Sequence, residues 1–371
     1  MAAAAEDLEP MRVRWLALAL CAGTLGVAAL PRPAAARARS SEKPDAAPAL
    51  TEEAINGATF TMPPQEASKK SGQGGKPSSE RPDPLMIKVQ VLLDRARFSP
   101  GAIDGRHGDN TRRAIAAYAK AQGLPATDSL DRALVEKLQA SSSDPVVTAY
   151  TITEADVKGP FIRVPPKLEA QAALKAMTYT NPREMFAERF HMQRDLLAAM
   201  NPGKPLDRPG TVIMVAAVAP FETGAVKGAP VAPRVTRIEV DKGNRRVRAY
   251  GDGGALVGDY PASIGSEEKP APSGSTKATR ATFDPWYRYN PKYRFKGVSA
   301  RHPFSIRPGP NNPVGVVWID LAIPSYGIHG TPEPENIGKT NSHGCIRLTN
   351  WDARDLGSHV EKNATVEFLE K

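Results

Sequence analysis

The spacing of apolar residues predicts a helical front part of the chain. Apolar side chains recur three and four positions apart over 85–96, which predicts a first helix. The stretch 99–108 is rich in Pro, Gly and Asp and predicts a loop. Two more segments with helical spacing follow, over 111–122 and 129–138. We therefore expect a small bundle of three helices over residues 84–140.

The C-terminal part has a different period. From Val235 the apolar positions alternate with polar ones, as in half-buried strands, and turns that contain glycine separate the runs. A helix is expected from about Asn350 to Val360, with Asn350 or Asp352 near its N-cap. The predicted strands are 235–240, 246–250, 256–264 and 365–369. Residues 234–371 should form a β-rich domain of short antiparallel strands.

Residues 148–218 lie between these two parts and have a less regular pattern. Two short helical segments are followed by a strand from Val212 to Val215, which Pro209 and Gly210 introduce. This order resembles a LysM-type glycan-binding module with a degenerate beginning. A spacer subdomain that packs on the C-terminal domain would give the same pattern, so both interpretations stay open.

The N-terminus has the three-part pattern of a secretory signal over residues 1–38. Arg12 and Arg14 precede an apolar run over 15–30, and small alanine residues follow it. The alternative is an uncleaved anchor, for which the run is short. We therefore expect contact with a membrane only through this segment, if it is not cleaved.

Residues 39–83 are rich in Pro, Ser, Gly, Lys and Ala, and they predict a disordered linker. Whether translation starts at Met1 or Met11 stays open. In order along the chain, the expected parts are a signal, a linker, a three-helix domain, a LysM-like or spacer module and a β-rich domain. The fold class is multidomain α+β.

Composition narrows the classes of function. The 371 residues have a formal net charge of +9, with Lys and Arg spread along the chain. This balance suits an anionic polymer, but no nucleic-acid-binding motif is present, so we expect no nucleic-acid partner. The two cysteines are Cys21, inside the predicted signal, and Cys345. Without a disulfide partner in the exported chain, Cys345 is either an inert buried thiol or a reactive one.

The residues that can carry chemistry are concentrated between Tyr326 and Asn350, in YGIHGTPEPENIGKTNSHGCIRLTN. Cys345 follows a glycine, so a sharp turn can present its sulfur. His329 lies sixteen positions before it and His343 two. A neighbouring His can lower the pKa of a thiol and supply the thiolate that attacks a carbonyl. His343 is too close in sequence to face Cys345 freely, so His329 is the better general base.

The residues beside the cysteine fit supporting roles. The peptide N–H groups of His343, Gly344 and Cys345 stand where an oxyanion hole would be built. Ser342 can orient a ring nitrogen or the turn itself. Arg347 can attract a substrate carboxylate and help to hold a thiolate charge. A zinc site would need a ligand beyond one Cys and two His, so we expect no metal.

The predicted three-helix part resembles the small peptidoglycan-binding domains that precede many wall enzymes. The resemblance rests on VQVLLDRARFSPGAIDGRHGDNTRRAIAAYAKAQGL, within residues 84–140. His107 departs from the aromatic residue that is usual at its place. The resemblance implies that this part contacts peptidoglycan.

The C-terminal domain resembles the L,D-transpeptidase (YkuD) family. The family signature, His-Gly-Thr followed by Ser/Thr-His-Gly-Cys, is matched from His329 and again up to Cys345. The Pro-Ser-Gly at 272–274 and the segment 307–315 also fit the family. An aromatic and basic insertion over 282–302 is either a lid or groove for the substrate or a packing element.

This resemblance implies a role for each matching residue. Cys345 would be the nucleophile and His329 the group that accepts and donates the proton. Arg347 stands where many members have Asn, as in the branch typical of Gram-negative bacteria. The residues implied to support the turn and the oxyanion hole are Gly330, Thr331, Ser342, His343 and Gly344.

The resemblance also implies a reaction that needs no cofactor. Cys345 would form a thioester with the third residue of a tetrapeptide stem and release D-Ala, and an amine acceptor would then give a 3→3 crosslink. The acceptor could equally be water, a free D-amino acid or a lipoprotein Lys, and a non-catalytic wall-binding protein is the rival class. The implied partners are peptidoglycan stem peptides and glycan strands, in the periplasm or cell wall of a Gram-negative-type bacterium. The oligomeric state stays open.

Overall fold

The computed structural model describes residues 49–61, 81–125, 127–224, 231–266, 269–293, 298, 300–342 and 344–370. The predicted signal over 1–38, together with Cys21, lies outside these residues, as does His343. None of the helices in these ranges is long and apolar enough to cross a membrane.

Three helices form the front bundle. They are α2 (Pro84–Arg95), α3 (Asp109–Ala121) and α4 (Arg132–Ala140). The carboxylates of Asp83 and Asp131 cap α2 and α4 by accepting backbone N–H groups of the first turn, which satisfies donors that have no partner inside the helix. The structure confirms the predicted bundle, with helix bounds within three residues of those expected.

A short helix, α1 (Glu52–Asn56), lies ahead of this bundle. Thr51 caps it, the side chain of Ile55 is fully buried, and Asn56 Oδ1 accepts the N–H groups of Val146 and Val147. The prediction of a disordered linker over 39–83 is therefore wrong at this helix. The helix has one fully buried apolar side chain, Ile55, and it bonds to residues ninety positions away. Neither feature produces a periodic pattern in the local sequence.

The middle region is built on a two-stranded antiparallel sheet of β1 (Val147–Thr151) and β2 (Val212–Ala216). Its buried side chains share one apolar cluster with the front bundle and α1, so the two predicted modules have a common core. Between the strands lie α5 (Glu154–Lys158), α6 (Leu168–Gln171), α7 (Pro182–Arg189) and α8 (Arg194–Met200).

The C-terminal domain is built on a nine-stranded sheet of the described residues, in the order β5-β4-β3-β13-β7-β10-β11-β12-β6. A separate antiparallel pair joins β8, inside the predicted insertion, to β9, which begins just after it. The strands are β3 (Val235–Asp241), β4 (Arg246–Tyr250), β5 (Leu256–Pro261), β6 (Ser263–Ile264), β7 (Gly274–Phe283), β8 (Tyr287–Tyr289), β9 (Phe304–Ile306), β10 (Val317–Leu321), β11 (Gly327–His329), β12 (Ile346–Arg347) and β13 (Val360–Leu369).

Two strand pairs differ from the expectation of an antiparallel domain. The last strand, β13, pairs in parallel with β3, and β12 pairs in parallel with β11. Parallel neighbours need a crossover connection instead of a tight turn. The long segment from 330 to 345 is that connection for β11 and β12, and it delivers Cys345 to the edge of β12.

The helix α9 (Asn350–His359) lies against the sheet and begins beside the reactive segment. Its N-cap is Thr349, whose hydroxyl accepts the Asp352 N–H, so Asn350 lies next to the cap as expected. Thr349 frees the Asn350 side chain to bond elsewhere. A Cβ at Gly357 would lie 2.9 Å from Val317, so the helix approaches β10 closely.

A buried ion pair of the C-terminal domain lies where the front bundle attaches to that domain. Arg246 donates to Asp259 at 2.8 Å, and both side chains are 1% exposed. Just after α2, the Arg97 carbonyl accepts the Asp259 N–H and the Ser99 N–H donates to the Asp259 carbonyl. Arg246 also donates to the Ser99 carbonyl. The bundle is thus fastened to the edge of the large sheet by main-chain and charged contacts.

Removing one partner of this pair is expected to be costly. In Asp259→Ala the Arg246 charge stays buried without its carboxylate, so the free energy of unfolding should fall by about 3–5 kcal/mol. The half-exposed pair Arg234–Glu361 provides the control, since Glu361→Ala should cost only about 0–1 kcal/mol. Urea unfolding followed by tryptophan fluorescence measures both. Equal losses in the two variants would contradict the prediction.

Candidate active site

The parallel strands β11 and β12 bring His329 and Cys345 to one cavity. His329 lies opposite Arg347, and Ile328 lies opposite Ile346. Residues directly opposite each other on paired strands share a face of the sheet, so His329 shares its face with Arg347, and Cys345 lies in the bend just before β12. All three line one cavity. The structure therefore brings together the residues that the sequence motif predicted.

The cavity has a volume of about 770 Å³, within the usual range for ligand pockets. Besides strands of the large sheet, three other segments contribute to its walls. Trp286 and Tyr287 belong to the insertion and Val314 to the loop before β10, whereas Leu168 comes from α6 of the middle region. The middle region thus contributes directly to the wall of the site.

His329 is held as a neutral base. Its ring is 4% exposed and stacks on Trp318 with 5.3 Å between ring centroids. Nδ1 lies 2.7 Å from the Gly330 carbonyl oxygen, which only accepts, so Nδ1 carries the hydrogen and Nε2 carries the lone pair. Burial, and then the charge of Arg347, lower the pKa of His329 to about 3. The ring is therefore neutral and able to accept a proton at Nε2 at physiological pH.

Cys345 is held as a thiol. Burial raises its pKa above the ordinary value, although an N–H donated by the Gly327 backbone and the charge of Arg347 act in the opposite direction. The Sγ atom lies 3.8 Å from the Ser325 carbonyl oxygen, an acceptor for the S–H group. The expectation that a neighbouring His lowers this pKa does not hold for the resting site. With a neutral thiol and a neutral imidazole lining one cavity, an attack by the sulfur needs proton transfer as it proceeds.

The turn before the cysteine is closed by Ser342. Its hydroxyl accepts the Gly344 N–H at 3.2 Å and donates to the Cys345 carbonyl in a short hydrogen bond. Gly344 has a φ of +114°, which other residues rarely adopt. Ser342 thus orients the turn, one of its two expected roles. The Gly344 N–H is engaged here, so it is not an available oxyanion donor in this arrangement.

The residues that follow His329 are fixed by Asn350. Its Oδ1 accepts the Thr331 N–H at 3.1 Å, and a Cβ at Gly330 would lie only 2.3 Å from that oxygen. Glycine is therefore required at 330, and the buried Thr331 accepts the N–H of Glu333 through its hydroxyl. From the sequence, Asn350 was expected only to lie near a helix cap. Its position at the end of the motif was the available signal.

The insertion combines packing with a wall of the site. Tyr289 is buried and stacks on Phe304 with ring centroids 4.7 Å apart, which is packing. Trp286 is 47% exposed, lies against the Arg307 guanidinium and borders the cavity beside Tyr287. Burial, with Tyr289 and Cys345 adding to it, raises the pKa of Tyr287 to about 12, so its hydroxyl is a neutral donor. Sequence reasoning had not separated these two roles.

No group of three or more His, Cys, Asp or Glu that could hold a metal ion occurs among the residues that the structure describes. His329 and Cys345 lie in the cavity with Arg347, a cation, as their charged neighbour. The arrangement has the parts of a thiol nucleophile with a histidine base, which is the class of site used for acyl transfer.

Two family models match the chain. Residues 235–368 match the L,D-transpeptidase catalytic domain (YkuD), and residues 82–138 match a peptidoglycan binding domain (PG_binding_1). The C-terminal domain therefore belongs to the L,D-transpeptidase family, and the front bundle is a domain of the second family. This confirms both resemblances. The two family models do not cover residues 148–218, where the LysM-like and spacer interpretations stay predictions.

The chain is similar to several relatives over part of its length. It is 29% identical over 199 residues to "Probable L,D-transpeptidase YbiS" of Escherichia coli, which covers 52% of this chain and 61% of that protein. It is 44% identical over 62 residues to the YkuD protein of Bacillus licheniformis, covering 17% of this chain and 38% of the relative. The chain thus spans less than two thirds of the length of these relatives.

Solved structures of L,D-transpeptidases are also similar. The enzyme from Mycobacterium smegmatis is 19% identical with a TM-score of 0.31, covering 43% of this chain and 66% of that one. L,D-transpeptidase 3 from Mycobacterium tuberculosis is 16% identical with a TM-score of 0.31, and the match covers 44% of this chain and 76% of that one.

Proposed function

We propose that the chain is a peptidoglycan L,D-transpeptidase that uses Cys345 as nucleophile and His329 as general acid and base. The observation that carries the proposal is their placement in one cavity, His329 at the end of β11 and Cys345 directly before the adjacent strand β12. His329 Nδ1 is engaged, and Nε2 is left to take a proton. The family of the C-terminal domain supports the same chemistry.

In the acylation step the Cys345 sulfur attacks the carbonyl carbon of the third stem residue, at its L-centre. His329 Nε2 takes the thiol proton as the S–C bond forms, because neither group is ionised at rest. The imidazolium then gives that proton to the amine of the leaving D-Ala when the C–N bond breaks. A thioester on Cys345 and a neutral His329 remain, so protons and charge balance.

In the second step an amine from a neighbouring stem peptide attacks the thioester. His329 accepts a proton from the amine and returns it to the departing sulfur, which gives a 3→3 crosslink and the resting thiol. Water would give an L,D-carboxypeptidase, a free D-amino acid an exchange reaction, and a lipoprotein Lys an attachment reaction. The same two residues serve each acceptor.

The front bundle supplies the second part of the proposal. Its membership of a peptidoglycan-binding family supports contact with the wall polymer. Together with the signal pattern over 1–38, this supports export to the periplasm or cell wall. A glycan-binding role of 148–218 stays a prediction from the sequence pattern.

The experiment that tests the proposed function is incubation of the full chain with muropeptides that carry tetrapeptide stems, followed by mass spectrometry. A crosslinked dimer that has lost one D-Ala is the expected product. A tripeptide without a dimer would indicate hydrolysis instead. No product, together with no carbapenem adduct on Cys345, would leave a non-catalytic wall-binding protein and overturn the proposal.

A further inference from the structure

The middle region reaches the catalytic domain through a buried carboxyl group. Glu188 lies in α7, and its Oε2 accepts a hydrogen bond from Asn350 Nδ2 at 3.0 Å. Glu188 is 3% exposed and Asn350 is fully buried. A buried polar contact between two regions of a chain is costly to break on one side, because the remaining group keeps no partner.

All four hydrogen-bonding positions of the Asn350 amide are used. The second N–H of Nδ2 donates to the Pro310 carbonyl at 3.1 Å. Oδ1 accepts the N–H groups of Val316 at 3.3 Å and Thr331 at 3.1 Å. Because Glu188 and Pro310 both accept, they fix which end of the amide faces the two backbone donors. Without the Glu188 carboxyl group, Asn350 Nδ2 would keep only the Pro310 carbonyl as an acceptor.

The space around Asn350 Oδ1 leaves little room for movement. A Cβ at Gly315 would lie 2.1 Å from this oxygen and a Cβ at Gly330 2.3 Å from it, so both backbones touch the amide. Gly330 supplies the carbonyl that holds His329 Nδ1. A shift of Asn350 is therefore passed to the group that orients the catalytic ring.

We propose that Glu188 is a positioning residue for His329, acting through the Asn350 amide and the Gly330–Thr331 segment. The inference rests on the proposed function and deepens it. It makes the middle region part of the catalytic machinery and not only a spacer or a glycan-binding module.

The ionisation of Glu188 tells which substitution preserves the contact. Burial raises its pKa to about 8; Glu184 also raises it, whereas the bond from Asn350 and the charge of Arg194 lower it. Burial raises the pKa of Tyr179 well above its ordinary value, and the Glu188 carboxyl group adds to that rise. At neutral pH Glu188 is mostly an uncharged acid whose carbonyl oxygen accepts from Asn350. Gln has the same shape and the same acceptor, and Leu has neither charge nor acceptor.

The test compares Glu188→Gln and Glu188→Leu with Glu184→Gln and Glu184→Leu. Glu184 lies one turn away on α7, is also buried, and bonds to Thr180 instead of Asn350. For each full-length variant, carbapenem acylation of Cys345 gives a maximal rate constant and a half-saturating concentration. The melting temperature is measured alongside. Alkylation by iodoacetamide at high pH, where the thiol needs no base, reports on Cys345 access alone.

We expect Glu188→Leu to lose at least about tenfold in maximal acylation rate, with an unchanged half-saturating concentration and unchanged alkylation. Glu188→Gln should stay within about twofold of wild type. The Glu184 variants should change the melting temperature but not the rate. A Glu188→Leu rate equal to wild type, or the same loss in Glu184→Leu, overturns the inference.

The two proposals fail in different ways. If the wild-type chain forms neither the muropeptide product nor the carbapenem adduct, the proposed function falls and this inference falls with it. If the wild type is acylated and Glu188→Leu behaves like it, only the role of Glu188 is lost. If Glu188→Leu does not fold, Glu188→Gln decides, since a tenfold loss there contradicts the proposed role of a neutral acceptor.

Discussion

The Cys345→Ala variant is expected to form no acyl-enzyme and no crosslinked product. The proposed reaction passes through a bond to Sγ, and no other cysteine lies among the residues that the structure describes. Removing a nucleophile that works together with a histidine base costs on the order of 10⁶-fold in turnover. Mass spectrometry after incubation with muropeptides, and again with a carbapenem, measures this loss.

The same variant separates catalysis from wall binding. The Cys345 side chain lines the cavity of the C-terminal domain. The front bundle contacts that domain through Arg97, Ser99 and Asn110, whose hydrogen bonds within the described part of the chain do not involve Cys345. Sedimentation with purified sacculi should therefore be unchanged in Cys345→Ala, with a melting temperature close to wild type. A persistent adduct in this variant would place the nucleophile elsewhere, and lost sedimentation would contradict wall binding by the front bundle.

The elements with a local pattern were the ones that the sequence predicted well. The three helices of the front bundle and the strand over 246–250 follow from spacing and turn residues that lie within a few positions of each other. The strands β6 and β12 have only two residues each, too few to show a period. β12 forms by pairing with β11, and β6 forms by pairing with β12. The same holds for α1, whose burial depends on distant residues.

The candidate site divides in the same way. His329 and Cys345 were predicted because they belong to a contiguous motif, and the parallel pairing of β11 with β12 then brings them together. Glu188 belongs to no sequence motif. It lies in the middle region and is linked to the site through the hydrogen bond that it accepts from Asn350. The pKa of Cys345 is raised by burial, and burial of the thiol cannot be inferred from the motif. Contacts between distant segments are what spacing alone could not supply.

Replacing His329 should slow acylation at neutral pH by about 10²–10⁴-fold, the usual contribution of a positioned general base. The substitution His329→Gln keeps a polar side chain at the position, but the amide has no basic nitrogen that could take the thiol proton. His359→Gln is the matched control, because His359 lies at the end of α9, bonds to the Asp355 carbonyl and does not line the catalytic cavity. Carbapenem acylation rates of the two variants and the wild type measure the difference.

The dependence on pH distinguishes loss of a base from general damage. Since the pKa of His329 is lowered to about 3, the wild-type acylation rate should not fall as the pH drops from about 7 to 5, as it would with an ordinary imidazole near 6.5. In His329→Gln only the preformed thiolate can react. Burial raises the pKa of Cys345, so that rate should climb about tenfold per pH unit through the neutral range. A wild-type rate that halves near pH 6.5, or a variant whose rate ignores pH, would show that proton transfer to His329 is not part of the attack.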